Sequence, residues 1–249
     1  MSSRAQARVH EADTVEVAPS QITRNDILSK LPAAELAAIM EHAEEIHCPG
    51  REVMFEMGEV VERVYFPLTG MASLVIVLAD GTTVEALTAG RESFIGVSLL
   101  NGVMTARYKG ICQVEGNFLV MPAQSFLSII GDLPDLSRRL LRYSQYATDV
   151  AAQSAACNGV HTVEQRCARW LLVTSDAIDS TTFNLTQEFL AQMLAVRRPG
   201  VTVAMSALAK KALVSYKYRK VALLDVKGLK ATSCECYATI RSKAKELLS

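Results

Sequence analysis

No apolar run in this 249-residue sequence approaches the roughly 18 residues that a membrane-spanning helix needs, which leaves no helical membrane anchor and no membrane partner. Met1 to Ser20 lacks the apolar centre of a secretory signal and mixes charges of both signs. Residues 1–24 therefore read as a disordered tail, and the chain as cytoplasmic. The sequence also lacks a nucleophile elbow, a glycine-rich phosphate loop and a paired-histidine metal motif. The short signatures of hydrolases, nucleotide-consuming enzymes and metalloproteases are thus absent, and the expectation is a protein that is not an enzyme. A catalytic site scattered along the chain is the rival that motifs alone do not test.

A disulfide framework is missing as well. Cys48, Cys112, Cys157, Cys167, Cys234 and Cys236 are scattered and read as reduced thiols. The closest pair, Cys234 and Cys236, has no second pair near it in sequence, and His10, His42, His47 and His161 are all distant from it. On that ground no metal site is expected.

Net charge is zero, with 26 basic and 26 acidic residues, but the average hides a split. Up to His161 there are 12 Lys/Arg against 19 Asp/Glu, a balance of −7; from Thr162 onward there are 14 against 7, a balance of +7. An acidic front and a basic back direct any polyanion to the back half.

The hydrophobic period changes twice along the chain. Leu28, Leu31, Leu36, Ile39 and Met40 recur at helical spacing, with Pro32 placed to open a second helix. Short β-type runs follow at 53–55, 64–66, 73–78, 84–87, 111–114 and 118–121, punctuated by glycines. Asp80-Gly81 between two such runs predicts a two-residue hairpin, and the set predicts an antiparallel barrel or sandwich. From Pro134 the helical period returns. Leu136, Leu140, Tyr143, Ala147, Val150, Ser154 and Cys157 step by alternating fours and threes, a heptad stripe that predicts a two-helix dimer seam. Packing of that stripe on its own domain is the alternative. Asn158-Gly159 predicts the helix end, and Thr162 with Gln165 predicts a capping box opening the next helix.

The segment Phe183–Leu208 carries the functional signal. Thr186 caps a short helix whose apolar face is Phe189, Leu190, Met193 and Leu194. Ala195-Val196 makes a tight turn. Arg198 and Pro199 open a second helix that buries Val201, Ala204 and Leu208. This is the layout of a helix-turn-helix, with a purely structural helical hairpin as the alternative. Arg197 and Arg198 stand at the end that meets base edges, where arginine binds guanine O6 and N7 bidentately. Gly200 allows close approach; Thr202, Val203 and Ser206 lie near the exposed face; Lys210 and Lys211 reach phosphates. The run from Leu213 to Leu224 reads as two strands joined by a basic turn, a wing whose Lys217 and Arg219 suit a phosphate backbone.

With those residues in view, the chain resembles the Crp/Fnr superfamily of bacterial transcription regulators. The barrel landmarks are Phe55-Glu-Met-Gly-Glu59, Val64-Tyr-Phe66, Gly70 and Gly90 to Gly96. The C-terminal landmarks are Leu190 to Thr202, Gly228-Leu229 and Cys234 to Tyr237. The resemblance implies an α+β chain: an antiparallel β-barrel of the cyclic-nucleotide-binding jelly-roll type at 25–132, a long dimerisation helix and hinge at 133–160, and a winged helix-turn-helix at 161–249. It implies a homodimer on near-palindromic double-stranded DNA, with RNA polymerase a candidate further partner. A cyclic-nucleotide-binding-like interaction protein without DNA binding is the rival, which the arginine pair and the basic wing disfavour.

The sequence departs from the family pattern where cyclic AMP would bind. The cassette of cyclic-AMP-binding members presents Gly-Glu and later an Arg followed by a small hydroxyl residue. Here Gly96 is followed by Val97, and Arg107 by Tyr108. The ribose acceptor is missing, so cyclic AMP is not the expected effector, and the effector stays unidentified. Only Cys48 lies in the first hundred residues, so the N-terminal iron–sulfur cluster of the oxygen-sensing branch is not expected either. The recognition segment also lacks the usual carboxylate after the Arg, since Pro199-Gly200 follows Arg198. The operator of better-known members therefore does not carry over.

Overall fold

The computed structural model describes residues 22–249; the expected tail lies outside the described residues except for Ile22, Thr23 and Arg24. Ile22 is buried in the first hydrophobic core. Asn25 then pins the entry of the chain. Its Nδ2 donates to the carbonyls of Pro67 (3.1 Å) and Ser93 (3.0 Å), while its Oδ1 accepts from the amides of Ile27 and Leu28. Helix α1 (Ala33–Met40) starts directly after Pro32.

Seven strands follow: β1 (Glu44–Cys48), β2 (Val53–Phe55), β3 (Arg63–Pro67), β4 (Met71–Val77), β5 (Thr83–Ala89), β6 (Lys109–Val114) and β7 (Gly116–Pro122). They form two antiparallel sheets, ordered β1-β7-β3 and β2-β6-β4-β5, a jelly-roll sandwich. Each predicted strand is present. β1 is an addition to them, because Glu44-Glu45-Ile46-His47-Cys48 shows no apolar alternation; among the described residues it is an edge strand paired only with β7. The hairpin after β4 also differs from the two-residue expectation. Leu78 N–H donates to the Thr82 carbonyl (2.8 Å) and Gly81 N–H to the Leu78 carbonyl (2.9 Å), which closes a three-residue loop. Gly81 takes φ +82°, the left-handed residue that such a loop requires after its turn.

Phe66, Phe94, Phe118 and Phe126 fill the sandwich, with ring centroids 5.0 Å apart for Phe66–Phe94 and 5.3 Å for Phe94–Phe126. Gly70 and Gly116 cross so closely that a Cβ on Gly116 would stand 2.3 Å from the Gly70 nitrogen. The short α2 (Val97–Leu100) lies between β5 and β6, and α3 (Ala123–Ile129) leads out of the barrel.

Helix α4 (Pro134–Val160) runs 27 residues. Its first turn is capped from another helix, because the Asp135 and Leu136 amides donate to Glu35 Oε1 (2.9 Å) and Oε2 (2.8 Å). A carboxylate there satisfies orphan donors and complements the helix dipole. The helix continues past Asn158-Gly159, since Gly159 remains in helical conformation and His161 is the C-cap.

The predicted seam is corrected by its burial. Leu136, Leu140, Tyr143, Ala147, Val150 and Cys157 are already buried within one chain, and Ser154 is half-buried. They pack on the barrel and on the C-terminal helix, so the apolar stripe serves the chain's own core. A second stripe does exist. Leu141 (58 % exposed), Gln145, Thr148, Ala152, Ala155 and Gly159 also step by fours and threes, along the open face. Hydrophobic periodicity does not reveal it, because all but Leu141 are small or polar.

The C-terminal half comprises α5 (Val163–Ile178), β8 (Thr182–Asn184), α6 (Gln187–Met193), α7 (Arg198–Lys210), β9 (Val214–Lys217), β10 (Lys220–Leu223), α8 (Val226–Thr232) and α9 (Cys236–Leu248). The capping box at Thr162 and Gln165 is formed. Cys167, Trp170 and Leu171 face inward as expected, joining Leu190, Val201, Ala204 and Leu208 in a second core. That core also takes in Val75 of β4, so the C-terminal half is docked on the barrel. Helix α9 runs back antiparallel along α4, tied by Lys243–Asp149 (2.8 Å) and by Arg142 Nη2 donating to the Glu246 carbonyl (2.9 Å).

Candidate nucleic-acid interface

Helices α6 and α7 are joined by the turn Leu194–Arg197, in which Ala195 takes φ 51°. The apolar positions bring the pair together. Leu190, Ala191, Met193 and Leu194 meet Val201, Ala204, Met205 and Leu208, all buried. Geometry then fixes the outward face of α7. Arg198, Thr202, Ser206 and Lys210 recur every fourth residue and are exposed, as are Arg197, Pro199 and Val203, the last 71 % exposed. Arg197 is the N-cap, Arg198 the first helical residue and Pro199 the second. Gly200 is half-buried beside them, with open space where a Cβ would lie.

Four of the expected contact residues are engaged within the chain. Thr186 caps α6 by accepting from the Phe189 amide (3.2 Å), and its hydroxyl also accepts from Arg51 Nη2 (2.8 Å), an arginine of the barrel. Lys211 is paired with Glu164 at 2.6 Å. Arg198 lies 3.9 Å from Glu188, an exposed and weak pairing. Thr202 Oγ1 donates to Gln187 Oε1 (2.7 Å). Sequence reasoning does not single out Arg51 or Gln187: Gln187 sits next to the cap in an unmarked position, and Arg51 is 135 residues from its partner.

The wing is formed by β9 and β10, with Lys217 opposite Lys220. Its two-residue turn is Tyr218-Arg219, both at positive φ (49° and 67°). Such a turn ordinarily takes Asn-Gly, so two full side chains are held here against backbone preference. Tyr218 is wholly exposed, and Lys217 and Arg219 are exposed beside it.

The barrel-side candidates behave differently. Gly96 is the N-cap of α2 at φ 141°, and Val97 begins that helix with its side chain against the core. Tyr108 also leans on the core, whereas Arg107 is exposed. None of the four lines the cleft between barrel, α4 and α5, whose walls include Glu85, Glu92, Tyr143, Arg169 and Trp170. Burial raises the carboxyls of both Glu85 and Glu92, the former to about 7.

Glu85 belongs to a hydrogen-bonded chain that joins the halves. Trp170 Nε1 donates to Glu85 Oε2 (2.9 Å), and Gln113 Nε2 donates to Thr174 Oγ1 (3.3 Å). Between them the Ser73 hydroxyl lies 2.7 Å from Glu85 Oε1 and 2.5 Å from Gln113 Oε1. One hydroxyl proton serves only one acceptor. Both contacts are satisfied when a protonated Glu85 donates to Ser73 and Ser73 donates to Gln113. Trp170 and Thr174 are one turn apart on α5, so this chain grips that helix at two points.

Comparison with known proteins agrees with this architecture. Residues 165–232 match the Crp-like helix-turn-helix domain and residues 45–132 the cyclic nucleotide-binding domain. FixK2 from Bradyrhizobium japonicum is 18 % identical, with TM-score 0.65 over 77 % of this chain and 98 % of that one. TTHB099, a CRP-family transcriptional regulator from Thermus thermophilus, is 19 % identical, with TM-score 0.63 over 75 % and 95 %. The c-di-GMP responsive global regulator CLP from Xanthomonas campestris is 16 % identical, with TM-score 0.59 over 77 % and 99 %. No curated protein matches the chain. The fold and the paired domains define a DNA-binding transcription regulator. The chain belongs to the Crp/Fnr superfamily, whose members are transcription regulators and not enzymes by family. Among the described residues, no helix is long and apolar enough to cross a membrane.

Proposed function

We propose that this regulator acts in the cytoplasm as a homodimer on a near-palindromic duplex, with α7 reading base edges and the wing holding phosphates. The observation that carries this reading is the single exposed face of Arg197, Arg198, Thr202, Val203, Ser206 and Lys210, next to a basic wing tip kept in a strained turn. Two such helices fit successive major grooves about 34 Å apart. The open stripe of α4 from Leu141 to Gly159 is the face available to a second copy, its small residues allowing close approach. Thr186 assists through Arg51, which already reaches its hydroxyl from the barrel and is itself a phosphate-seeking cation. Lys211 exchanges Glu164 for a phosphate on binding. RNA polymerase is the further partner that a regulator of this kind would engage, and no catalytic role is proposed.

Cyclic AMP is not the effector in this reading. Val97 offers no acceptor to a ribose hydroxyl, Arg107 points to solvent, and none of the four cassette positions lines the cleft between the barrel, α4 and α5. In vitro selection from random DNA gives the site; titration of Arg198→Ala and Lys210→Ala against it and its single-base variants tests the register. Arg198→Ala should cost roughly 1–3 kcal/mol and relax preference at one base pair, while Lys210→Ala should weaken all sequences alike and lower the salt slope by about one. Evenly lowered affinity with intact base preference for Arg198→Ala would refute the assignment.

A further inference from the structure

The third buried cluster of the molecule consists of three cysteines and nothing else: Cys157, Cys234 and Cys236, exposed by 0 %, 3 % and 1 %. Their place is the hinge. Cys157 lies in the last turn of α4, and His161, four residues on, is its C-cap. Cys234 and Cys236 flank Glu235 where α8 gives way to α9. The expectation of no metal rests on separation in sequence, and the fold removes that separation by laying the start of α9 against the end of α4.

The four donor atoms lie within 4.8 Å of one another. Cys157 Sγ is 3.6 Å from Cys234 Sγ, and Cys236 Sγ is 3.7 Å from His161 Nδ1. A tetrahedral zinc ion, with Zn–S about 2.3 Å and Zn–N about 2.0 Å, sets its ligand atoms roughly 3.5–3.8 Å apart. A disulfide needs about 2.05 Å, and all six cysteines are free. The outer contacts also suit a metal. His161 Nε2 stands 3.1 Å from Glu235 Oε1, so a proton on Nε2 is held by the carboxylate and Nδ1 is left as the ligand atom. Gln153 Nε2 donates to Cys236 Sγ (3.1 Å), a contact that stabilises thiolate charge. Arg166 and Arg169 are buried nearby, each with its Nε unpartnered, and offset the single negative charge that three thiolates and one dication leave.

We propose that Cys157, His161, Cys234 and Cys236 form a closed Cys₃His site for a thiophilic dication, zinc by ligand set and geometry, which staples the end of α4 to the start of α9. Four protein ligands leave no open position, so the site is structural. The test uses the full chain, purified under reducing conditions, with metal content measured by mass spectrometry. Chelated protein is then titrated with Co²⁺. One metal per chain is expected, with sulfur-to-cobalt charge-transfer bands and the intense visible bands of tetrahedral cobalt. Cys236→Ser should abolish them and Cys48→Ser should not. Glu235→Gln, at a side chain 75 % exposed, should weaken binding about tenfold or more while leaving the unfolding transition of the chelated protein in place. The proposal is overturned if reduced, chelated protein takes up no cobalt, if Cys48→Ser and Cys236→Ser bind alike, if Glu235→Gln binds as wild type, or if an iron–sulfur chromophore occupies the site.

Discussion

Replacing Glu85 with glutamine tests whether the grip between the barrel and α5 depends on a proton. Glutamine keeps the shape and every partner: its carbonyl accepts from Trp170 and its amide donates to Ser73. What it removes is the option of charge. In the docked protein burial raises the Glu85 carboxyl from 4.5 to about 7; Ser73, Trp170 and Arg169 pull the other way but do not prevail. A carboxyl whose value is raised on docking binds a proton more tightly in the docked state. Its support for docking is therefore complete below about 4.5 and is lost as pH rises through about 7. The full shift of 2.5 units corresponds to about 3 kcal/mol as an upper limit, at about 1.4 kcal/mol per unit. Between pH 6 and pH 8 the loss is roughly 1 kcal/mol, five- to tenfold in the docking equilibrium. Trp170 is the single tryptophan of the chain, so its fluorescence reads the contact directly. Wild-type emission and quencher access should change with a midpoint near 7, and Glu85→Gln should hold the low-pH signal throughout. Glu92, in the same cleft, titrates equally in both proteins and is cancelled by the comparison. A wild-type signal flat from pH 6 to 8, or an unchanged transition in Glu85→Gln, would refute the reasoning.

Three further outcomes are expected. Glu35→Ala leaves the Asp135 and Leu136 amides without their acceptor at the head of α4 and should cost about 2–3 kcal/mol in urea unfolding, with Glu35→Gln recovering part of it. Arg219→Gly relieves a left-handed backbone at the wing tip and should stabilise by about 1 kcal/mol, raising Tm, while DNA affinity falls. Ala152→Glu on the open stripe of α4 should yield a folded monomer by sedimentation at micromolar concentration, whereas Leu140→Ala, on the buried stripe, should lower unfolding stability by about 2–5 kcal/mol.

What is legible in the sequence is what repeats locally. The helix-turn-helix is readable because Leu190 and Leu194 keep a helical period before the turn, and Val201, Ala204 and Leu208 keep one after it, leaving the polar residues a single side. The strands of the barrel other than β1 are readable from their apolar runs, and the wing from Tyr-Lys-Tyr-Arg between two such runs. The stripe on α4 reads correctly as buried and wrongly as a dimer seam, because periodicity gives a face but not what covers it. α9, which covers it, lies about a hundred residues away. The same blindness hides Arg51 at the Thr186 cap, the Glu85–Ser73–Gln113 chain and the cysteine cluster, each assembled from elements that meet only in three dimensions.

The return of α9 along α4 has a mechanical consequence. A domain joined to its neighbour by one hinge swivels freely, as on a ball joint. Besides the face docked on the barrel, the winged domain is joined along α4 twice: by the link from α4 into α5, and by α9, which runs back along α4 until the Leu248 carbonyl accepts from Lys30 Nζ beside the barrel (2.5 Å). Two attachments define an axle. Once the docked face lets go of the barrel, such an axle would let the domain rock about a line through the hinge and α9 while resisting twist about the chain. A signal felt at the barrel would therefore reach the reading helix as one angle, and in a symmetric pair that angle alone sets the span between the two.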